Sequence, residues 1–221
     1  MDSIHHFHIT NDISITMPNF ISLINKYIDT SSISIIVDAG SMDGNDSEIL
    51  HNAFPTSKVY AIEGLPDNYN RFILNKSNII GIPYVIASYD GQITYYQKNI
   101  NGIHGIYNRG NDYGSKTLEL PCYKMSTIMN QYNISHIDVL KIDVEGATYD
   151  LLQSLENHIS TVKIMHIETE TYPFFEGQIL HDTVCDFLIR HNFECVKISF
   201  CEIRYQQYQS DSVWVNKTYK K

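Results

Sequence analysis

Positive charge is scarce in this chain: 16 Lys and Arg stand against 25 Asp and Glu, a formal net charge of −9 over 221 residues. Phosphate contact draws on clustered Lys and Arg, so a deficit of this size argues against a nucleic-acid partner. Basic runs are absent apart from the terminal Lys220-Lys221. No apolar stretch reaches the roughly 20 residues of a membrane span, and Met1 to His8 offers neither a basic leader region nor an apolar one. No membrane partner is expected.

Cysteine is sparse as well. Cys122, Cys185, Cys195 and Cys201 show no C-x-x-C spacing and no disulfide-scaffold pattern, which fits a reducing compartment and a cytoplasmic location. N-x-[ST] sequons occur at Asn45, Asn75, Asn133 and Asn216, and the first falls in a loop assigned below to a ligand, where a glycan would obstruct binding. They read as chance in an Asn-rich chain. The His5-His6-x-His8 cluster has no acidic or Cys partner at ligand spacing, so no metal ion is assigned.

What is present is an alternation of short apolar runs with amphipathic stretches, the pattern of a βαβ series. At this length one substantial core is expected, giving a single domain over 1–221 with an N-terminal helical segment at 1–32. Periodicity predicts a helix over 18–28, a β-branched strand over 33–37, a helix over 46–54 and a strand over 58–62. Pro66 introduces a helix over 68–75, and a third strand covers 84–87. An Asp90-Gly91 turn then leads to a hairpin arm at 93–97. Residues 98–115 form a glycine-rich loop, a candidate lid. Beyond it come a helix over 126–131, a strand over 139–142, a helix through Leu155 and a strand over 164–167. A helix over 179–191 and strands at 194–198 and 212–215 complete the order.

In open α/β sheets ligands collect beyond the carboxyl ends of the strands, where strand order reverses. The predicted strands end on acids there: Asp38, Glu63, Asp143 and Glu168. Clustered acids repel one another unless a cation or several hydrogen-bond donors satisfy them. The first loop, Asp38-Ala39-Gly40-Ser41-Met42-Asp43-Gly44, has glycines four apart, where backbone can approach a ligand closely. It is not the G-x-G-x-x-G of dinucleotide binding, and Asp43 would stand where that fingerprint holds a pyrophosphate. The same acidity suits a ligand carrying sulfonium and ammonium charges. Glu63 follows Asp38 by 25 residues, the place from which a carboxylate accepts hydrogen bonds from both ribose hydroxyls.

These residues resemble the FkbM-type methyltransferases, which use S-adenosylmethionine. Val37 to Gly44 looks like the family's glycine motif, and Leu140-Lys141-Ile142-Asp143-Val144-Glu145-Gly146 matches its LKIDVEG signature without a substitution. The likeness runs from about Ile35 to Glu168 and includes Leu120-Pro121-Cys122 ahead of the signature helix. Two departures are Glu63-Gly64-Leu65-Pro66, where the family often has Glu-Pro, and Thr169-Glu170, where it has an aliphatic-His step. The resemblance implies a Rossmann-like, doubly wound, mostly parallel seven-stranded sheet with a small hairpin insertion after the third strand. It also implies S-adenosylmethionine as cofactor. Gly40 with its neighbours Asp38, Ser41, Asp43 and Gly44 would hold the methionine end, Glu63 and Gly64 the ribose side, and Ala87-Ser88 would lie against the adenine. Asp143 would face the reacting centre.

Methyl transfer is an in-line displacement, so catalysis amounts to alignment plus proton removal. Asp143 is the favoured base, with Glu145 and Glu168 as substitutes. Lys141 reads as a cation that neutralises neighbouring acids, and His166 as a core histidine. His104 and Arg109 sit in the glycine-rich loop, from which they would reach a substrate across a closing lid. The family implies O-methylation of a sugar, glycan or other small hydroxylated metabolite, on which tyrosines such as Tyr89, Tyr95, Tyr96, Tyr107, Tyr113 and Tyr172 could stack. A divalent ion bridging the acids to the acceptor hydroxyl stays open. So do a nicotinamide-dependent oxidoreductase and a methyltransferase-fold binding module without catalysis. Oligomeric state is not legible.

Overall fold

The computed structural model describes residues 15–99, 102–108, 116–203 and 206–221. The His5-His6-x-His8 cluster, Arg109, Tyr113 and residues 100–101 and 109–115 of the glycine-rich loop lie outside the described residues.

Helix α1 (Met17–Tyr27) has Thr16 as its N-cap, the side chain accepting from the Asn19 amide, and it buries Met17, Phe20 and Ile24 on one face. Strand β1 (Ile35–Ala39), helix α2 (Asn45–Ala53) and strand β2 (Lys58–Ile62) follow. Helix α3 (Pro66–Asn68), opened by its proline, widens into a π turn over Tyr69–Ile73. Next are β3 (Ile80–Ile82), β4 (Val85–Ile86), β5 (Gly91–Gln97) and β6 (Lys116–Tyr123). The second half holds α4 (Met125–Gln131), β7 (Ile137–Ile142), α5 (Thr148–Ser154) and β8 (Val162–Glu170). It closes with α6 (His181–Arg190), β9 (Phe193–Ile203) and β10 (Gln206–Asn216).

Seven strands form one sheet in the order β3-β2-β1-β7-β8-β10-β9. Neighbours from β3 through β8 run parallel, and β10 runs antiparallel to both β8 and β9. Such strands need cover on both faces, which is why they read as near-continuous apolar runs. Val37, Leu140, Ile142, Met165 and Ile167 pack on one face with residues of α4, α5 and α6. Ile36, Val139 and Ile164 pack on the other with Phe20, Ile24 and Leu50 of α1 and α2. Strand order reverses between β1 and β7, which opens a crevice beyond their carboxyl ends.

Two expectations need correction. The sheet's third strand is β3, paired with β2 through Tyr60↔Ile80 to Ile62↔Ile82, and not residues 84–87. Pro83 lacks an amide donor and interrupts the extended chain, after which β4 joins a different sheet. That second sheet, β4-β6-β5, is three-stranded, where a simple hairpin arm was expected. β6 pairs antiparallel with β5 from Gly91↔Cys122 to Gln97↔Lys116 and parallel with β4 at Val85↔Cys122. Leu120 and Cys122 pack with Val85 and Ala87 in a small core of their own. Among the described residues no helix is long and apolar enough to cross a membrane.

Candidate active site

A cavity of about 300 Å³ lies beyond the carboxyl ends of β1, β2, β7 and β8. Gly40 follows β1, Glu63 and Gly64 follow β2, Asp143 and Glu145 follow β7, and Glu168 comes from β8; all line this cavity. Val85 and Ile86 of β4, Tyr95 of β5, and His104 of the loop form further wall.

The remaining sequence-predicted residues stand elsewhere. Asp38 is inside β1, fully buried, with Oδ2 accepting from Ser47 Oγ at 2.6 Å. Asp43 turns onto α2, where its carboxylate accepts from the Asn45 amide at 3.0 Å and from the Asn45 side chain at 2.7 Å. Ser41 and Gly44 are buried behind the loop, and Gly44 is the N-cap residue of α2. Ala87 packs into the core of the small sheet and Ser88 is exposed, so neither lines the cavity. Their places along the wall are taken by Tyr84, Val85 and Ile86, the three residues immediately before them. Tyr95, one of the tyrosines expected to be able to stack on an acceptor, does line the cavity.

Glu63 is 5% exposed, and each oxygen already accepts one backbone hydrogen bond, Oε2 from Met42 at 2.9 Å and Oε1 from Leu65 at 2.8 Å. An ionised carboxylate has about four lone-pair sites, so about two remain for hydroxyl donors in the cavity. Burial pushes its pKa up to about 7, against the opposing pull of the two amides. An acid whose folded pKa is raised holds its proton more tightly when folded. Its contribution is therefore present below the unfolded value of 4.5 and is lost as pH climbs to about 7. Wild type should lose roughly 3 kcal/mol more than Glu63→Gln across that interval. Urea melts of both chains at a series of pH values measure the difference, and parallel curves would contradict it.

Asp143, Glu145 and Glu168 each place a carboxylate oxygen within 4.8 Å of the others. Burial first, then the charges of Asp143 and Glu145, hold the Glu168 carboxyl well above the usual carboxylate range. Such a set attracts positive charge, whether a sulfonium or a divalent ion. One oxygen of Asp143 lies 3.3 Å from the Lys141 ammonium. Tyr95 adds a phenol kept protonated by burial and by the charges of Glu63 and Glu145. Backbone strain gathers here too: Met42 at φ 47° and Glu145 at φ 44° are non-glycine residues in the left-handed region, and both line the cavity. His166, by contrast, is 7% exposed and sits under α1 against Phe20, with rings 5.2 Å apart.

Comparison with known proteins gives three findings. A family model for the methyltransferase FkbM domain matches residues 38–195, well over half of the chain. No curated protein matches it. Among solved structures, an FkbM methyltransferase from Methylobacillus flagellatus KT aligns with TM-score 0.51 at 13% identity, covering 81% of this chain and 43% of that longer one. Fibrillarin from Methanococcus jannaschii, a pre-rRNA processing protein, gives TM-score 0.51 at 15% identity over 89% of this chain and 73% of its own. TrmK from M. capricolum, solved with S-adenosyl-homocysteine, gives 0.50 at 14% over 90% and 69%. At such identities the likeness is one of fold.

Proposed function

Because the chain belongs to the FkbM methyltransferase domain family, whose cofactor is S-adenosylmethionine, we propose that it transfers the methyl group to a hydroxyl of a sugar, glycan or other small hydroxylated metabolite. The observation that carries this reading is the meeting of Gly40, Glu63 and the three acids Asp143, Glu145 and Glu168 around one cavity. In this reading the bare backbone at Gly40 takes the methionine end of the donor and Glu63 takes its ribose hydroxyls. The acids face the sulfonium and receive the proton of the acceptor. Three carboxylates at the reacting end repel a phosphodiester, and the net charge of −9 adds to that repulsion. A neutral hydroxylated acceptor meets no such barrier.

Two variants separate the roles. Glu63→Gln should weaken S-adenosylhomocysteine binding by on the order of 10- to 100-fold, since hydrogen bonds to a charged acceptor are at stake. Asp143→Asn should leave that affinity near wild type and lower methyl transfer by on the order of 100-fold, the scale of a lost general base. Calorimetry with S-adenosylhomocysteine and transfer of labelled methyl to a panel of hydroxylated compounds give the two readouts. Transfer to RNA in preference to every small hydroxyl compound would overturn the acceptor assignment.

A further inference from the structure

We infer that His104 is the hydrogen-bond donor that holds the methyl acceptor, and that its geometry selects a hydroxyl oxygen over an amine; this rests on the methyl-transfer reading of the same cavity. His104 lines the cavity and is 9% exposed. Its Nδ1 lies 3.0 Å from the backbone nitrogen of Lys98, whose N–H points at it. An amide N–H can only donate, so Nδ1 must present its lone pair, and the neutral ring carries its proton on Nε2. Among the described residues nothing is bonded to Nε2.

The loop bearing His104 is anchored on both sides. Gly105 forms an isolated bridge to Tyr96, with hydrogen bonds of 2.8 and 3.3 Å. It also packs so closely on the signature turn that a Cβ there would lie 3.0 Å from the Glu145 carbonyl oxygen. Gly105 thus ties the chain beside His104 both to β5 and to the turn that carries Glu145.

A fixed N–H donor in a cavity that also holds carboxylates suits an alcohol. The hydroxyl gives its proton to one of the acids, one oxygen lone pair attacks the methyl carbon, and the second lone pair accepts from Nε2–H. The oxygen–carbon bond forms as the sulfur–carbon bond breaks, and the bonding pair returns to sulfur as a neutral thioether. A neutral amine has a single lone pair, which the attack consumes, so it leaves Nε2–H unanswered. His104 is not the base. A second proton would have to sit on Nδ1, against the Lys98 N–H, and burial lowers the ring's pKa further. The titratable groups that share the cavity with it are Glu63, Tyr84, Tyr95, Asp143, Glu145 and Glu168.

Long-range proton–nitrogen NMR of the full chain, with His104→Gln to assign the ring, should show the Nε2–H tautomer at pH 8 and a titration midpoint below the ordinary 6.5. A proton on Nδ1 at pH 8, or titration with a midpoint near 6.5, would overturn the assignment. Calorimetry adds an independent arm: His104→Ala should bind S-adenosylhomocysteine as wild type does. A tenfold loss confined to that variant would place His104 on the donor and sink this inference alone, whereas no binding by wild type would remove the methyl-transfer reading beneath it. With methyl hexosides and the matching amino sugars as acceptor probes, methyl should appear on oxygen. His104→Ala should raise acceptor KM by about tenfold, the size of one lost hydrogen bond, with a smaller change in kcat and no change in the pH profile. Methyl on nitrogen, or a lost limb in that profile, would refute it.

Discussion

Replacing Gly40 by alanine is expected to lower stability by roughly 4 kcal/mol, to shift the melting temperature by on the order of 10 °C, and to abolish binding of S-adenosylhomocysteine. Gly40 has φ +80°, and a Cβ built on it falls 1.8 Å from the backbone oxygen of Asp143 and 3.3 Å from Val144 Cγ1. The first contact is with backbone and cannot be relieved by a rotamer. β1 and β7 are also tied together there, because the Asp143 amide donates to the Ala39 carbonyl at 2.9 Å. A methyl group at residue 40 therefore has to break the hydrogen-bonded seam where strand order reverses, or twist the chain out of its left-handed conformation. Either movement displaces Asp143 from the cavity. Gly102 is the control: it too has positive φ, +83°, and lines the cavity, but nothing stands within 4 Å of its Cβ position. Gly102→Ala should cost about 1 kcal/mol, the backbone term alone. Thermal melts of the two variants, with and without S-adenosylhomocysteine, make the comparison, and equal losses would show that the contact with Asp143 does not matter.

The central parallel strands were legible because burial on both faces leaves short apolar runs, as in Ile35-Ile36-Val37 and Val139-Leu140. Glu63 was legible for a related reason, since it stands one residue beyond a strand whose end is clear in the sequence. Asp38 shows where that logic fails. It was read as a strand-end acid like Asp143, but β1 runs on to Ala39, and strand alternation sends Asp38 to the face opposite Val37 and Ala39. One residue of offset decided between ligand cavity and interior. The small sheet was hidden for a different reason. Pro121 lies inside β6, and the strand's partners, β4 and β5, are set by pairing across the glycine-rich segment, which no local pattern encodes. β3 is three residues long with a central glycine, so the more β-prone Tyr84 to Ala87 outweighed it. The cavity wall from Tyr84, Val85 and Ile86 was lost with that misreading.

Lys141→Met should cost about 3 to 5 kcal/mol, the range for removing one partner of a buried ion pair. Lys141 is 6% exposed, with Nζ 3.6 Å from Asp38 Oδ1, 3.3 Å from Asp46 Oδ2 and 3.3 Å from Asp143 Oδ2. Burial works against the ammonium, but Asp38, Asp143 and Asp46 outweigh it and hold the lysine above its ordinary pKa. Asp38 is held above its own ordinary value by burial, which the lysine only partly offsets. Asp38 Oδ1 has no hydrogen-bond partner, so the ammonium is what balances it among the described residues. With methionine at 141, Asp38 must either stay charged without compensation or take up a proton. Protonation becomes easier as pH falls, so the deficit should shrink toward pH 5 and grow toward pH 8. Lys141→Met combined with Asp38→Asn should recover part of the loss, since the amide leaves no buried charge behind. Urea melts of the two single variants and the double variant at both pH values test this. Strict additivity together with a deficit independent of pH would mean that the lysine stem, not its charge, supports β7, and that Asp143 is held in place by something other than this ammonium.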